Sequence, residues 1–123
     1  MLRRNFLRAA IAVVLGAATV TSLTACAPAK VDMSTVDQVI DVRTADEYAA
    51  GHLEGAINID VESGNFDAGI AALDQNKTYL VYCHSGRRSA LAQSAMHDAG
   101  FHNVIDGGGI DNAASSTGLA IVQ

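Results

Sequence analysis

Strand-like and helix-like segments alternate along this chain, which predicts an α/β fold, a small, mostly parallel sheet flanked by helices. Four stretches carry that expectation. Residues 79–82 are apolar and aromatic, too short for a helix and preceded by a polar turn, so they read as a buried central strand. Residues 38–42 repeat the pattern with Val39, Ile40 and Val42. Two segments carry helix signals. Thr44, with Glu47 three residues on, predicts a capping box before a helix at 45–50. Behind Ser89, a candidate N-cap, Ala92, Ala95, Met96 and Ala99 recur at helical spacing.

In chain order, residues 1–25 read as an export signal. Arg3, Arg4 and Arg8 precede an apolar stretch from Ala9 to Leu23 that is short for a membrane span. Leu23-Thr24-Ala25-Cys26 resembles the lipobox of bacterial lipoproteins, which implies lipidation of Cys26 and a new N-terminus there. Arg3-Arg4-Asn5-Phe6-Leu7-Arg8 resembles a twin-arginine export motif. The mature chain is then expected to be lipid-anchored at a cell membrane, facing the periplasm or the cell exterior. Residues 26–37, small and polar with Pro28, are expected to form a lipid-anchored tether. At ~3.3–3.6 Å per residue it would keep the site within roughly 40 Å of the bilayer.

Residues 38–123 form the expected domain. Gly51 ends the first helix, and a second strand at 56–59 follows a loop containing His52 and Glu54. A turn at 62–65 leads into a helix at 66–73 with Phe66, Ile70 and Leu73 on one face. Another turn at 74–77 precedes the central strand. Gly100 stops the alanine-rich helix. A fourth strand is expected at 101–105 and a sharp turn at 106–109. From residue 110 the run Ala114-Ser115-Ser116-Thr117-Gly118 predicts a short or loose closing helix.

The chemistry gathers at Cys83, where the central strand delivers its end to a turn that opens a helix. Gly86 lets the backbone curl so that successive N–H groups face inward as an anion nest, and the helix adds its positive end. Arg87 and Arg88 add full charges. A thiol in such a cradle should ionise below its usual ~8.5. If Cys26 carries lipid, Cys83 is the one free thiol, and no intramolecular disulfide is left to form. An unpaired cysteine in an exported chain is exposed to oxidation, which argues that it has a task.

The loop Cys83-His84-Ser85-Gly86-Arg87-Arg88 resembles the Cys-x-x-Gly-x-Arg active-site loop of rhodanese-like sulfurtransferases. A second match lies upstream, in Asp41-Val42-Arg43, Glu47-Tyr48 and Gly51-His52-Leu53-Glu54-Gly55-Ala56-Ile57-Asn58, and a weaker third is Gly108-Gly109. The resemblance spans about residues 36–122 and implies a rhodanese-like fold. It implies Cys83 as the nucleophile that carries a persulfide, with residues His84, Ser85, Gly86, Arg87 and Arg88 holding an anionic donor. Asp41, Arg43, Glu47 and His52 are expected as supporting residues, with Arg43 and Glu47 paired at the strand–helix junction. Relatives usually carry Trp on the closing helix at the position of Ala113, so the core beside that helix is expected to be thin.

Charge and spacing narrow the function. The net charge is −5, and without the three N-terminal arginines five Lys+Arg face thirteen Asp+Glu, a balance of −8 that makes nucleic acid a poor partner. The four histidines make no metal-binding spacing with one another, so no metal or other cofactor is expected. Gly107-Gly108-Gly109 lacks the following Lys of a phosphate loop. The favoured function is transfer of sulfane sulfur from thiosulfate or a persulfide to a thiol or cyanide, with the membrane and an envelope protein as the other expected partners. Two alternatives stand beside it: a non-catalytic binding or redox-sensing module, and a phosphatase or arsenate reductase of the same fold. The last would want five residues between Cys and Arg; here there are four.

Overall fold

The computed structural model describes residues 29–123. The expected export signal and Cys26 lie outside the described residues. A four-stranded parallel sheet has the order β3-β1-β4-β5, built from β1 (Gln38–Asp41), β3 (Ile57–Asn58), β4 (Thr78–Cys83) and β5 (Asn103–Gly109). Helices α1 (Ala45–Ala50), α2 (Phe66–Ile70), α3 (Arg87–Asp98) and α4 (Ile110–Thr117) flank it. A small antiparallel ladder joins β2 (His52–Leu53) to β6 (Ile121–Val122). The expected α/β architecture is therefore the one observed.

Side-chain alternation along the strands splits the interior into two layers. Ile40, Val42, Tyr79, Val81 and Cys83 face one side, where Phe66 and Ile70 of α2, Ala92 and Met96 of α3, and Phe101 cover them. Val39, Leu80 and Tyr82 face the other, against Leu53, Ala56, and Ile110 and Ala113 of α4. Burial on both faces is why residues 79–83 form an unbroken apolar run. At its carboxyl end, the residue that points toward α2 and α3 is Cys83.

Several boundaries differ from those read in the sequence. The second helix stops at Ile70, where Gly69 weakens the preceding turn, although Leu73 still packs against the core. Residues 106–109 are no turn: β5 runs on to Gly109, with a bulge that moves its partners on β4 from Val81↔Asp106 to Cys83↔Gly109. The glycines there serve close approach. A Cβ on Gly107 would lie 2.8 Å from Leu80 Cδ2 and 3.1 Å from the Val81 carbonyl oxygen. Ser89 is not the N-cap of α3 but its third residue, and Gly86 occupies the cap.

The closing helix is also firmer than its composition suggests. α4 spans eight residues, buries Ile110, Ala113 and Ser116, and ends on Gly118 in the left-handed region at φ 74°. Ala113 is wholly buried in a cluster completed by Val31, Met33, Val36 and Leu119. Three of those four come from the expected tether, which is docked over its last eight residues. The Val31 amide donates to the Ser116 carbonyl (2.8 Å), and Lys30 Nζ donates to the Ser115 carbonyl (2.6 Å). A 3-10 turn at Met33–Thr35 then feeds β1. Small polar residues there hid three apolar side chains spaced two and three apart.

Candidate active site

Cys83 ends β4 and is fully buried, while the next two residues, His84 and Ser85, are exposed; the sulfur therefore lies one residue beneath the loop surface. Gly86 makes the turn into α3 with φ 99°, a conformation that favours glycine, and this aims its N–H at the sulfur, N···Sγ 2.9 Å. Ser89 Oγ lies 3.6 Å from Sγ and 3.0 Å from the Gly86 carbonyl oxygen. Burial alone would push the thiol up. Hydrogen bonds from the Ser89 hydroxyl and from the amides of Ser89, Gly86 and Ser85 outweigh it, so Cys83 ionises below its ordinary value.

The single hydroxyl proton of Ser89 has two acceptors to choose from. With a neutral thiol, Sγ–H donates to Ser89 Oγ, which donates on to the Gly86 carbonyl. With a thiolate the hydroxyl proton turns onto sulfur, and the Gly86 carbonyl keeps the Ala90 amide at 3.3 Å. The loop can thus follow the charge on sulfur without moving its backbone. Position 89 carried a signal in the sequence: it lies three and seven residues before Ala92 and Met96, on the same buried stripe.

Neither arginine stands free. Arg88 makes a two-pronged pair with Glu47, Nη1···Oε1 2.7 Å and Nη2···Oε2 2.9 Å, and Arg87 pairs with Glu62 at 3.1 Å in solvent. The Arg88 pair corrects the expected Arg43–Glu47 pairing. Glu47 is held well below the usual carboxylate range, to about 2, chiefly by the hydrogen bonds from Arg88. The capping box of Thr44 and Glu47 forms as expected. Glu47 thus ties α1 to the first turn of α3.

Arg43 instead closes on Asp41, with Nε and Nη2 on the carboxylate at 2.7–3.1 Å and the Arg43 amide on Oδ1 at 2.9 Å. Its Nη2 also donates to the Gly51 carbonyl (2.6 Å). The pair is buried, so losing one partner would cost about 3–5 kcal/mol. Tyr82, one residue before Cys83, donates its hydroxyl to Asp41 Oδ2 (2.8 Å) and accepts from the Leu53 amide (2.9 Å). Burial raises that phenol well above its ordinary value, so it stays a donor. Asp41 and Arg43 are thereby a brace between the carboxyl ends of β1 and β4. Tyr82 was missed in the sequence, where it read only as strand. His52 stacks on Tyr48 with ring centroids 3.8 Å apart and donates Nδ1–H to the Tyr48 carbonyl. Among the described residues, no three His, Cys, Asp or Glu side chains gather as a metal site.

Comparison with known proteins decides the family. The rhodanese-like domain family matches residues 27–112. The chain belongs to it. Among similar proteins, the thiosulfate sulfurtransferase PspE of Escherichia coli strain K12 is 36% identical over 75 residues, covering 61% of this chain and 72% of PspE. The thiosulfate sulfurtransferase GlpE of Pseudomonas entomophila is 40% identical over 73 residues, covering 57% and 64%. A solved structure described as a rhodanese with anions from E. coli superposes with a TM-score of 0.60 at 32% identity, over 70% of this chain and 96% of that one. A rhodanese-related protein from Thermoplasma volcanium gives a TM-score of 0.61 at 30% identity, over 73% and 86%. This rhodanese-like domain places its buried, polarised cysteine at the carboxyl edge of the sheet, where α/β folds collect ligands.

Proposed function

We propose that this rhodanese-like chain is a thiosulfate sulfurtransferase-type enzyme that works through a Cys83 persulfide. The Cys83 thiolate attacks the outer sulfur of thiosulfate. That S–S bond breaks, sulfite departs with the bonding electrons, and the outer sulfur remains on Cys83. A thiophilic acceptor, cyanide or a thiolate, then attacks the outer sulfur and Cys83 leaves as a thiolate. The observation that carries the reading is the Gly86 N–H 2.9 Å from a buried sulfur, with Ser89 behind it. Those donors stabilise negative charge on sulfur in both steps. The sulfurtransferase relatives support the same reading.

For the arginines we propose a smaller part than the expected one. Because Arg88 is clasped by Glu47 and Arg87 meets Glu62, the anionic donor would be received by the loop amides, with Arg87 the easier of the two to recruit from its exposed pair. The same arrangement disfavours a phosphatase or arsenate reductase, which would want an unpaired guanidinium against its oxyanion. We also propose that the chain is exported and held at a membrane by lipid on Cys26, a reading that rests on Leu23-Thr24-Ala25-Cys26.

A thiosulfate:cyanide assay with mass spectrometry tests the enzyme reading. Treatment with thiosulfate should add one sulfur atom to Cys83, and Cys83→Ser should abolish both the adduct and thiocyanate formation while the protein stays folded. Sulfur loading elsewhere in the serine variant would refute the assignment. Cys26→Ser should release the protein from the membrane fraction with full activity; retention on the membrane at high salt would refute the anchor.

A further inference from the structure

Two clefts run together between α2 and α3. One, of about 470 Å³, has Ile70, Leu73, Ala99 and Phe101 on its floor, and the other, about 390 Å³, has Val61, Phe66 and Leu91; both are lined by Asp67 and Ala95. They form one groove, apolar at its Leu91 end and of mixed polarity at the other. Leu91 is 51% exposed, among the most exposed large apolar side chains described. Among the described residues, the charged side chains lining the groove are Glu62, Asp67 and Asp98, all acidic and all exposed. Arg87, one helical turn before Leu91, pairs with Glu62 of the groove wall. Arg87 is also the first residue of α3, four residues after Cys83, so the groove ends beside the cysteine loop.

We propose that this groove is the docking surface for the sulfur acceptor, and that the acceptor is a polypeptide whose reactive cysteine adjoins a basic and apolar segment. The inference rests on the sulfur-transfer reading above and names its acceptor. The apolar part of the floor, around Val61 and Leu91, wants apolar side chains, and the carboxylates of Asp67 and Asp98 on the rim want lysine or arginine between them. From Arg87 to Ala99 the helix climbs about 18 Å, the span of five or six extended residues at about 3.3 Å each. A segment lying along the groove brings a terminal cysteine to the Arg87 end. There its thiolate attacks the outer sulfur of the Cys83 persulfide; the S–S bond breaks, Cys83 leaves as a thiolate, and the acceptor carries the persulfide. A second copy of the chain fits poorly, because it would bring another acidic surface.

The test uses the full chain as Cys83→Ser, so that binding is read without transfer. A labelled peptide alternating lysine and leucine after one cysteine is titrated against the same peptide with glutamate for lysine. The cationic peptide should bind at least about tenfold more tightly, a gap that should narrow with salt. Asp67→Lys with Asp98→Lys should invert the preference. Without any of these groove substitutions, the cationic peptide should slow hydrogen exchange across α2 and α3. Equal binding of both peptides, protection confined to other elements, or a solution dimer that already covers α2 and α3 would overturn the proposal. Absence of a sulfur adduct on Cys83 after thiosulfate would instead overturn the sulfur-transfer reading and leave these binding results standing.

Discussion

Gly109→Ala tests whether the position of the cysteine loop, beyond its composition, sets activity. Gly109 has φ −70° and ψ 159°, ordinary extended backbone, so alanine meets no conformational penalty of its own. Its new methyl, however, would sit 2.5 Å from the His84 carbonyl oxygen, 3.2 Å from the His84 carbonyl carbon and 3.4 Å from Ser85 Cα. Ordinary contact begins at 3.4 Å, so about 0.9 Å must be found, and all three neighbours are backbone atoms that cannot rotate aside. The loop has to yield, and Gly86 N–H moves with it. Weakening one hydrogen bond to a charged sulfur is worth ~1.5–3 kcal/mol, and a displacement near 1 Å costs ~10²-fold. We expect thiosulfate:cyanide kcat/KM to fall about 10- to 100-fold. Overpacking should lower stability by only ~1–3 kcal/mol. The measurements are steady-state kinetics, thermal unfolding and a spectroscopic titration of the Cys83 thiolate on the same preparation. A variant that keeps its activity within about twofold, with an unshifted thiol titration, would refute the reasoning.

Two further expectations concern single groups. Ser89→Ala removes the hydroxyl that turns onto the thiolate, so the Cys83 titration and the acid limb of the rate profile should move up by about one to two pH units, from ~1.5–3 kcal/mol at 1.36 kcal/mol per unit; an unmoved midpoint would show that the backbone amides suffice. Glu47 is depressed from 4.5 to about 2 in the folded chain. Its unfolded form therefore takes up a proton first, and its stabilisation is complete above about pH 4.5 and is lost as pH falls through about 2. The difference in stability between the unsubstituted protein and Glu47→Gln, measured by denaturant unfolding, should shrink across that window. A difference that stays constant would remove the Arg88 pair as its cause.

The mostly parallel sheet and the placement of Cys83 at a strand's carboxyl end were legible in the sequence because they follow from local composition and the alternation of strands with helices. A strand buried on both faces must be apolar throughout, and its polar successor marks the edge where the loop begins. The capping box at Thr44 was equally local. What escaped were choices made between distant segments. Arg43 and Glu47, four apart, look like partners, but the pairing is decided by β4 and α3: the buried Asp41 carboxylate, braced by Tyr82, takes Arg43 and leaves Glu47 to Arg88. The three glycines at 107–109 resembled a turn because flexibility and close approach have the same composition. Only the nearness of Leu80 and His84 separates the two readings. The groove beside Leu91 was invisible for a related reason, since its walls come from segments some thirty residues apart.

The docked N-terminal segment changes how the domain would meet a bilayer. If lipid holds Cys26, only residues 27–29 lie between it and Lys30, whose amine is fastened to the carbonyl of Ser115. That length of chain reaches at most about 14 Å, so the domain would ride on a leash too short to let it tumble. α4 and the segment docked on it would lie toward the lipid, because that is where the leash leaves the fold. α2 and α3 cover the opposite face of the sheet. The groove between them would then open away from the bilayer, facing whatever protein diffuses past.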